Sequence, residues 1–393
     1  MCNNINIILI SFIVYDVIVS GAGPSGSYLS YLLSRNGYKV LQLEEHREVG
    51  KPVECTGLVS ERVFKYVNSR SMVNEVHGAN VFFPNGKSIH ISKGEKTIVM
   101  YRDDFDKDVS AMAIGAGADT RINARVLDAK VNDSYGEVKY RENGEIKYAR
   151  ANIIVGADGA NSRIRLSLNY ERPKKIISTY QVDSSFHLDD QDDVNVFIGS
   201  ENSKGFFGWA VPSGEITRIG VGVDHVTAIK YFRNINVKFN RSQILGINAG
   251  PIPINYLSKT YGNRSLLLGD AAGIVKPLSG GGIYTGIISA KNAYTAIDQS
   301  FNRNNFSEDA LKAYQKLWKR EIGRELFIDA KIQQYFSKIS TNDTLLNKIY
   351  DTINREDIIR RINSLGDIDY PAKVVFSILM RKPQLIKYFL FGG

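Results

Sequence analysis

Three glycine-containing clusters in this chain combine residue types that hold anions and polyols. Gly21, Gly23 and Gly26 form a Gly-x-Gly-x-x-Gly turn directly after an apolar run, and Glu44 stands 21 residues beyond Gly23. Glycine permits the tight turn, and its missing side chain lets a pyrophosphate reach the backbone. Helix N–H groups hold that anion, and a carboxylate at this separation accepts from a ribose hydroxyl. The cluster therefore predicts a dinucleotide site, against the plainer alternative of a glycine-rich turn with a surface glutamate. Gly269-Asp270 closes a second apolar run and presents one carboxylate at the carboxyl end of a strand, where doubly wound sheets bind ligands; such a group suits a polyol. Gly280, Gly281 and Gly282 then open a helix whose N–H groups can stabilise developing negative charge. A flexible hinge is the other reading of that triplet, and a plain turn the other reading of Asp158-Gly159.

The elements that position these clusters follow from the hydropathy pattern. Tyr15 to Ser20 is a β-branched run ending at Gly21, as a fully buried parallel strand should. Tyr28 to Asn36 reads as a helix closed by Gly37, and Lys39 to Leu43 as a second strand, which makes a βαβ opening. Asn85-Gly86 and Asn143-Gly144 mark hairpins, Asp103 to Gly115 a helix, and Ile153 to Val155 a short buried strand. From about 176 to 255 the chain is strand-rich, with Thr179 to Phe186, Val194 to Ile198, Phe206 to Val211 and Ile219 to Val223 as candidates. A strand over Ser265 to Leu268, a helix from about Ile283 and amphipathic helices from 306 complete the pattern.

Composition bounds the function. The chain has 393 residues with 43% hydrophobic and 23% charged residues, which makes it globular and long enough for two or three units with a cleft. Fifty Lys and Arg against 41 Asp and Glu leave +9, of which +5 lies in residues 301 to 393. That excess is too modest, and too bare of recognised motifs, for nucleic acid. Cys2 and Cys55 cannot build a disulfide framework and lie in no zinc spacing, so the expectation is a reducing, cytoplasmic setting and no metal. The apolar stretch from Ile5 is interrupted by Asp16 and lacks a basic leader, so it predicts no membrane span or signal. Pro371 to Phe391 mixes basic with large apolar residues over helical lengths: helices packed on the core are one reading, a peripheral contact with the inner membrane face the other.

Taken in order, the turn at Gly21, the segment Ile153-Ile-Val-Gly-Ala-Asp158-Gly159-Ala-Asn-Ser162-Arg163 and the segment Leu266-Leu-Leu-Gly269-Asp270 through Gly282 resemble the three motifs of the p-hydroxybenzoate hydroxylase-like flavoproteins. Pro52-Val-Glu-Cys55-Thr-Gly57 and Phe207-Gly-Trp209-Ala-Val-Pro212 narrow the resemblance to the geranylgeranyl reductase family and, within it, the archaeal digeranylgeranylglycerophospholipid reductases. Two departures stand out: Phe207 and Val211 replace the family's usual Tyr and Phe, and Cys55-Thr-Gly57 is shorter than its Cys-Gly-Glu-Gly form.

The resemblance implies an α/β fold: a Rossmann-type FAD-binding domain over 14–75, 97–172 and 256–300, an inserted antiparallel β-sheet substrate domain over 76–96 and 173–255, and a helical C-terminal region over 301–393. It implies FAD as cofactor, held by Gly21, Gly23, Ser25, Gly26, Glu44, Cys55, Thr56, Gly57, Arg102, Val126, Asp158, Gly269, Asp270, Gly280, Gly281, Gly282 and Ile283. Phe207, Trp209 and Pro212 would meet an isoprenoid lipid, and Cys55 is the candidate proton donor, bound water being another. The implied reaction reduces isolated C=C bonds of geranylgeranyl chains, with NAD(P)H or reduced ferredoxin as electron donor. A monooxygenase or halogenase on an apolar substrate shares the motifs, and a non-catalytic flavoprotein that binds lipid or a partner is the third reading.

Overall fold

The computed structural model describes residues 14–224, 226–239, 242–365, 367 and 369, side chains at 14 and 93–95 excepted. The chain before Val14 and the stretch Pro371 to Phe391 lie outside the described residues. The strands are β1 (Val14–Ser20), β2 (Val40–Leu43), β3 (Leu58–Ser60), β4 (Met72–Phe82), β5 (Ser88–Met100), β6 (Asp119–Arg121), β7 (Ala124–Val131), β8 (Gly136–Glu142), β9 (Glu145–Gly156), β10 (Lys175–Ser184), β11 (Asp193–Phe197), β12 (Gly208–Ser213), β13 (Ile216–Asp224), β14 (Ile244–Ile254), β15 (Tyr261–Gly262) and β16 (Ser265–Leu267). The α-helices are α1 (Pro24–Arg35), α2 (Arg102–Gly115), α3 (Arg163–Ser167), α4 (Ala228–Asn236), α5 (Ile283–Asn302), α6 (Glu308–Trp318), α7 (Arg324–Ile339), α8 (Asp343–Ile353) and α9 (Glu356–Leu365).

The first sheet runs β15-β16-β9-β1-β2-β6 and is parallel from β16 to β6, with β7 and β8 forming a meander on β9. Val17, Ile18 and Val19 of β1 are fully buried, and the core they join takes side chains from α1 and α5 and from the β7–β8 meander. Leu29 and Leu33 of α1, Ile287 and Ile288 of α5, and Leu311, Tyr314 and Trp318 of α6 complete that core. Each such side chain contributes about 2 kcal/mol through burial.

The second sheet, β14-β10-β13-β12-β11-β4-β5-β3, is antiparallel apart from the β11–β4 pair. One face packs Val182, Ile219 and Val221 under Phe232 and Ile235 of α4. The opposite face turns toward the first sheet and forms one wall of a cavity.

Four elements differ from the sequence expectation. Helix α1 begins at Pro24, not Tyr28, since proline is pre-organised for the first helical position and has no N–H to leave unpaired. Ile153 to Val155 is the end of the twelve-residue β9, whose earlier half pairs with β8 and alternates polar with buried residues. Strand β12 starts at Gly208; Phe206 and Phe207 before it stack on one another with centroids 4.2 Å apart, and the Phe207 carbonyl still accepts from the Gly222 N–H of β13 at 3.0 Å. The second sheet takes Leu58–Ser60, residues 72–75 and residues 97–100, which the expected boundaries give to the dinucleotide unit.

Candidate active site

The Gly21 turn joins β1 to α1 with three glycines in three different situations. Gly21 has φ +101° and a Cβ there would collide with the Ala157 carbonyl. At Gly26 a Cβ would strike the Gly21 carbonyl, so this glycine lets helix and strand pack. Gly23, at φ −70°, has nothing within 4 Å of where its Cβ would be. Open space beside the uncapped N-terminus of α1 is what an approaching pyrophosphate needs. Glu44, just past β2, accepts from the Ala22 N–H at 2.8 Å through one oxygen, and from His46 through the other, with Nδ1 at 2.7 Å and the backbone N–H at 3.0 Å. Its carboxylate is thereby fixed at the turn.

These groups open onto a cavity of about 750 Å³ between the two sheets. Of the expected cofactor residues, Gly21, Gly23, Ser25, Glu44, Cys55, Thr56, Arg102, Val126, Asp158, Asp270, Gly280, Gly281, Gly282 and Ile283 line it. Gly26, Gly57 and Gly269 lie behind the wall. Gly269, at φ +50°, packs against Ser25, where a Cβ would come within 2.6 Å of Oγ. Asp158 donates nothing and accepts from Ser162 Oγ at 2.5 Å and from the N–H groups of Arg163 and Ile164 at 2.7 and 3.1 Å, so its own chain occupies both oxygens as a cap on α3.

Asp270 is different. No group among the described residues donates a hydrogen bond to its carboxyl, and burial pushes that carboxyl up to about 6, with Arg102 opposing and Glu54 reinforcing the rise. A carboxylate held in that state lacks a hydroxyl donor, which a ribityl chain supplies. Gly282 faces it: a Cβ there would approach Asp270 Oδ1 to 2.8 Å. Gly282 caps α5, which has no side-chain cap, so free helix N–H groups meet the cavity at a second place. Lys276 closes the intervening loop, accepting from Gly280 N–H at 2.8 Å and donating to Gly281 O at 3.1 Å through its backbone.

The loop from Cys55 to Gly57 forms the floor between the sheets. The Cys55 sulfur accepts from Gly57 N–H at 3.3 Å, and the Arg102 guanidinium, bound at both ends of the Asp106 carboxylate at 2.8 and 3.1 Å, interacts with it electrostatically. Arg218 of β13 clamps the loop from the second sheet by donating to the Thr56 carbonyl at 2.5 Å and the Met100 carbonyl at 2.9 Å. Neighbouring Glu54 is raised above the ordinary carboxyl range by burial.

The second sheet supplies an apolar wall. Phe206, Phe207, Trp209, Val194, Val196 and Val211 line it. Gly220 lies beneath Trp209, where a Cβ would stand 2.5 Å from the indole, so the ring rests on bare backbone. The Trp209 N–H donates to Gln181 Oε1 at 2.9 Å, and Thr56 Oγ1 donates to the same oxygen at 2.7 Å. Pro212 does not line the cavity: side chains alternate along a strand, so 207, 209 and 211 face it while 212 turns away with Ala210. Gln181 and Arg218 were absent from the sequence expectation, though a lone Arg in Ile216–Asp224 and a lone Gln among β-branched neighbours were visible.

The family described as FAD binding domain matches residues 14–320. The digeranylgeranylglycerophospholipid reductase of Methanococcus aeolicus is 30% identical over 393 residues, covering 95% of this chain and 97% of that protein. Among solved structures, a geranylgeranyl bacteriochlorophyll reductase-like protein from Thermoplasma acidophilum superimposes with a TM-score of 0.85 at 24% identity, over 95% of this chain and 99% of that one. The flavin-dependent brominase Bmp2 superimposes at 0.71 with 17% identity, over 95% and 100%. Both structural likenesses concern the fold.

Proposed function

The chain belongs to the FAD binding domain family and, within it, to the geranylgeranyl reductases, and from that premise we propose that it saturates isolated C=C bonds in the geranylgeranyl chains of ether-lipid precursors. The observation that carries the reading is one cavity with two faces: two uncapped helix N-termini and the undonated Asp270 on one side, an apolar aromatic wall on the other. The first face fits FAD, with Gly23 and α1 at the pyrophosphate, Glu44 at a ribose, Asp270 at the ribityl hydroxyls, and the α5 terminus beside Gly281 and Gly282. When bound, FAD supplies the hydride for one alkene carbon.

The chain's own residues supply the rest. Phe207, Trp209, Val194 and Val196 exclude water and seat an isoprenoid chain. An unactivated alkene has no carbonyl to polarise, so the second carbon takes a proton as cationic character develops, and the Trp209 π face stabilises that charge. Cys55 holds the transferable proton at Sγ. The Arg102 guanidinium and the Gly57 N–H then stabilise the thiolate left behind. The electron donor on this reading is NAD(P)H or a reduced ferredoxin. Among the described residues no helix is long and apolar enough to cross a membrane.

The test is anaerobic: the FAD-loaded protein is reduced with dithionite and given a digeranylgeranylglycerol phospholipid, and substrate mass is followed. Gain of hydrogen in pairs is expected. Reoxidation only on admitting oxygen, with oxygenated product, would replace this reading by a monooxygenase, and absence of any product would leave a lipid-binding flavoprotein.

A further inference from the structure

We propose that the outer face of β14, together with the exposed side of α4 and the 3₁₀ turn that follows it (Val237–Phe239), docks on an anionic membrane surface and so brings the cavity to its lipid. Between Asp224 and Asp270 the sequence has no Asp or Glu and six Lys or Arg, against a chain that is otherwise mixed in charge. Within that stretch Ile229, Val237, Ile244, Leu245 and Ile247 are 37, 58, 49, 58 and 59% exposed. They are five of the thirteen large apolar side chains exposed among the described residues, gathered into nineteen positions.

The topology puts them on one surface. β14 is the edge of its sheet and pairs only with β10 among the described residues. Ile247 stands opposite Val182, whose side chain packs under Phe232 and Ile235 of α4, so Ile247 and α4 occupy the same face. Along α4 and its turn, Ile229, Arg233 and Val237 recur at helical spacing with Lys230 and Lys238 beside them, all exposed. A surface that alternates large apolar with basic side chains suits the boundary between headgroups and acyl chains. The opposite face of the same strand, at Asn248, Gly250 and Ile252, lines the cavity. A strand with one face at the membrane and one in the cavity gives an isoprenoid chain a short path that avoids water.

Charge selects the occupant. A second copy docking here through a two-fold axis would oppose Lys230, Arg233 and Lys238 to themselves, whereas an anionic lipid surface neutralises them. An exposed apolar edge strand left bare is an aggregation hazard. The inference rests on the lipid-reductase reading only in giving the docked cavity its purpose.

The test is co-sedimentation of the FAD-loaded full chain with vesicles of phosphatidylcholine mixed with phosphatidylglycerol, and with phosphatidylcholine alone. Wild type should partition to the anionic vesicles. Leu245→Glu with Ile247→Glu, and separately Lys230→Glu with Arg233→Glu and Lys238→Glu, should each lower partition about tenfold or more while FAD content and far-UV circular dichroism stay unchanged. Wild type that ignores anionic vesicles, or variants that bind as well as wild type, would overturn the proposal. So would a dimer in sedimentation velocity that Leu245→Glu with Ile247→Glu dissolves. Partition is read without turnover, so failure of alkene reduction leaves it unaffected. Conversely, a docking failure leaves reduction of detergent-dispersed substrate intact.

Discussion

The indole N–H of Trp209 donates to the side-chain carbonyl of Gln181 at 2.9 Å, which fixes the ring of the apolar wall to the neighbouring strand. The same oxygen takes the Thr56 hydroxyl, so one carboxamide ties the apolar wall to the loop from Cys55 to Gly57. Gln181→Leu would strand the buried Trp209 N–H and the half-buried Thr56 hydroxyl, and an expected cost of about 2 kcal/mol should appear as a lower thermal midpoint. Trp209→Phe keeps an aromatic ring but loses its anchor and part of its π surface. It should retain FAD and reduce kcat/KM for the alkene about tenfold, read by product mass.

Asp270 predicts a pH signature. An ordinary carboxyl titrates near 3.9, about two units below the value near 6 that burial imposes here. Between those values the folded protein keeps a proton that the unfolded chain has released. Stability of the FAD-free protein therefore falls as pH rises from about 4 to about 6 and is level above that. Hydroxyl donation favours the carboxylate, so FAD affinity should be full above about pH 6 and weaken as pH drops below it. Asp270→Asn should flatten both curves and weaken FAD binding at pH 8 about tenfold, measured by fluorescence titration.

Gly23 and Gly26 should separate binding from folding. A Cβ at Gly23 meets no atom within 4 Å and the φ is one any residue adopts, so Gly23→Val should fold with unchanged circular dichroism and be recovered without FAD. Gly26→Val strikes the Gly21 carbonyl and should be recovered insoluble or with a sharply lower midpoint.

Arg218 should control the mobility of the Cys55 loop. In a Cys2→Ser background, Arg218→Met removes the donors to the Thr56 and Met100 carbonyls. Labelling of Cys55 by a thiol reagent should then accelerate about tenfold, on the expectation that one anchor of this kind contributes about 1.5–3 kcal/mol. Equal labelling rates would show that the loop is held elsewhere.

What could be read in the sequence was whatever is local. Gly21, Gly23, Gly26 and Glu44 act within one βαβ unit, where spacing reports geometry, and Asp270 closes a strand by itself. Thr56 and Gln181 meet across 125 positions, and Thr56 and Arg218 across 162. Such contacts depend on how two sheets face each other, which no local pattern encodes. Pro212 was misplaced for a different reason: it was taken from a motif read as a string, while strand alternation sends neighbouring residues to opposite faces. The helix boundary at Pro24 shows the same preference of local chemistry over hydropathy, since proline began the helix four residues before the apolar period became regular.

Gly220 leaves the floor under Trp209 as bare backbone. A methyl group there has nowhere to go except upward through the indole, so this one position acts as a height adjustment for the aromatic wall. The residue at 220 therefore sets how far the indole stands into the cavity without lining that cavity itself.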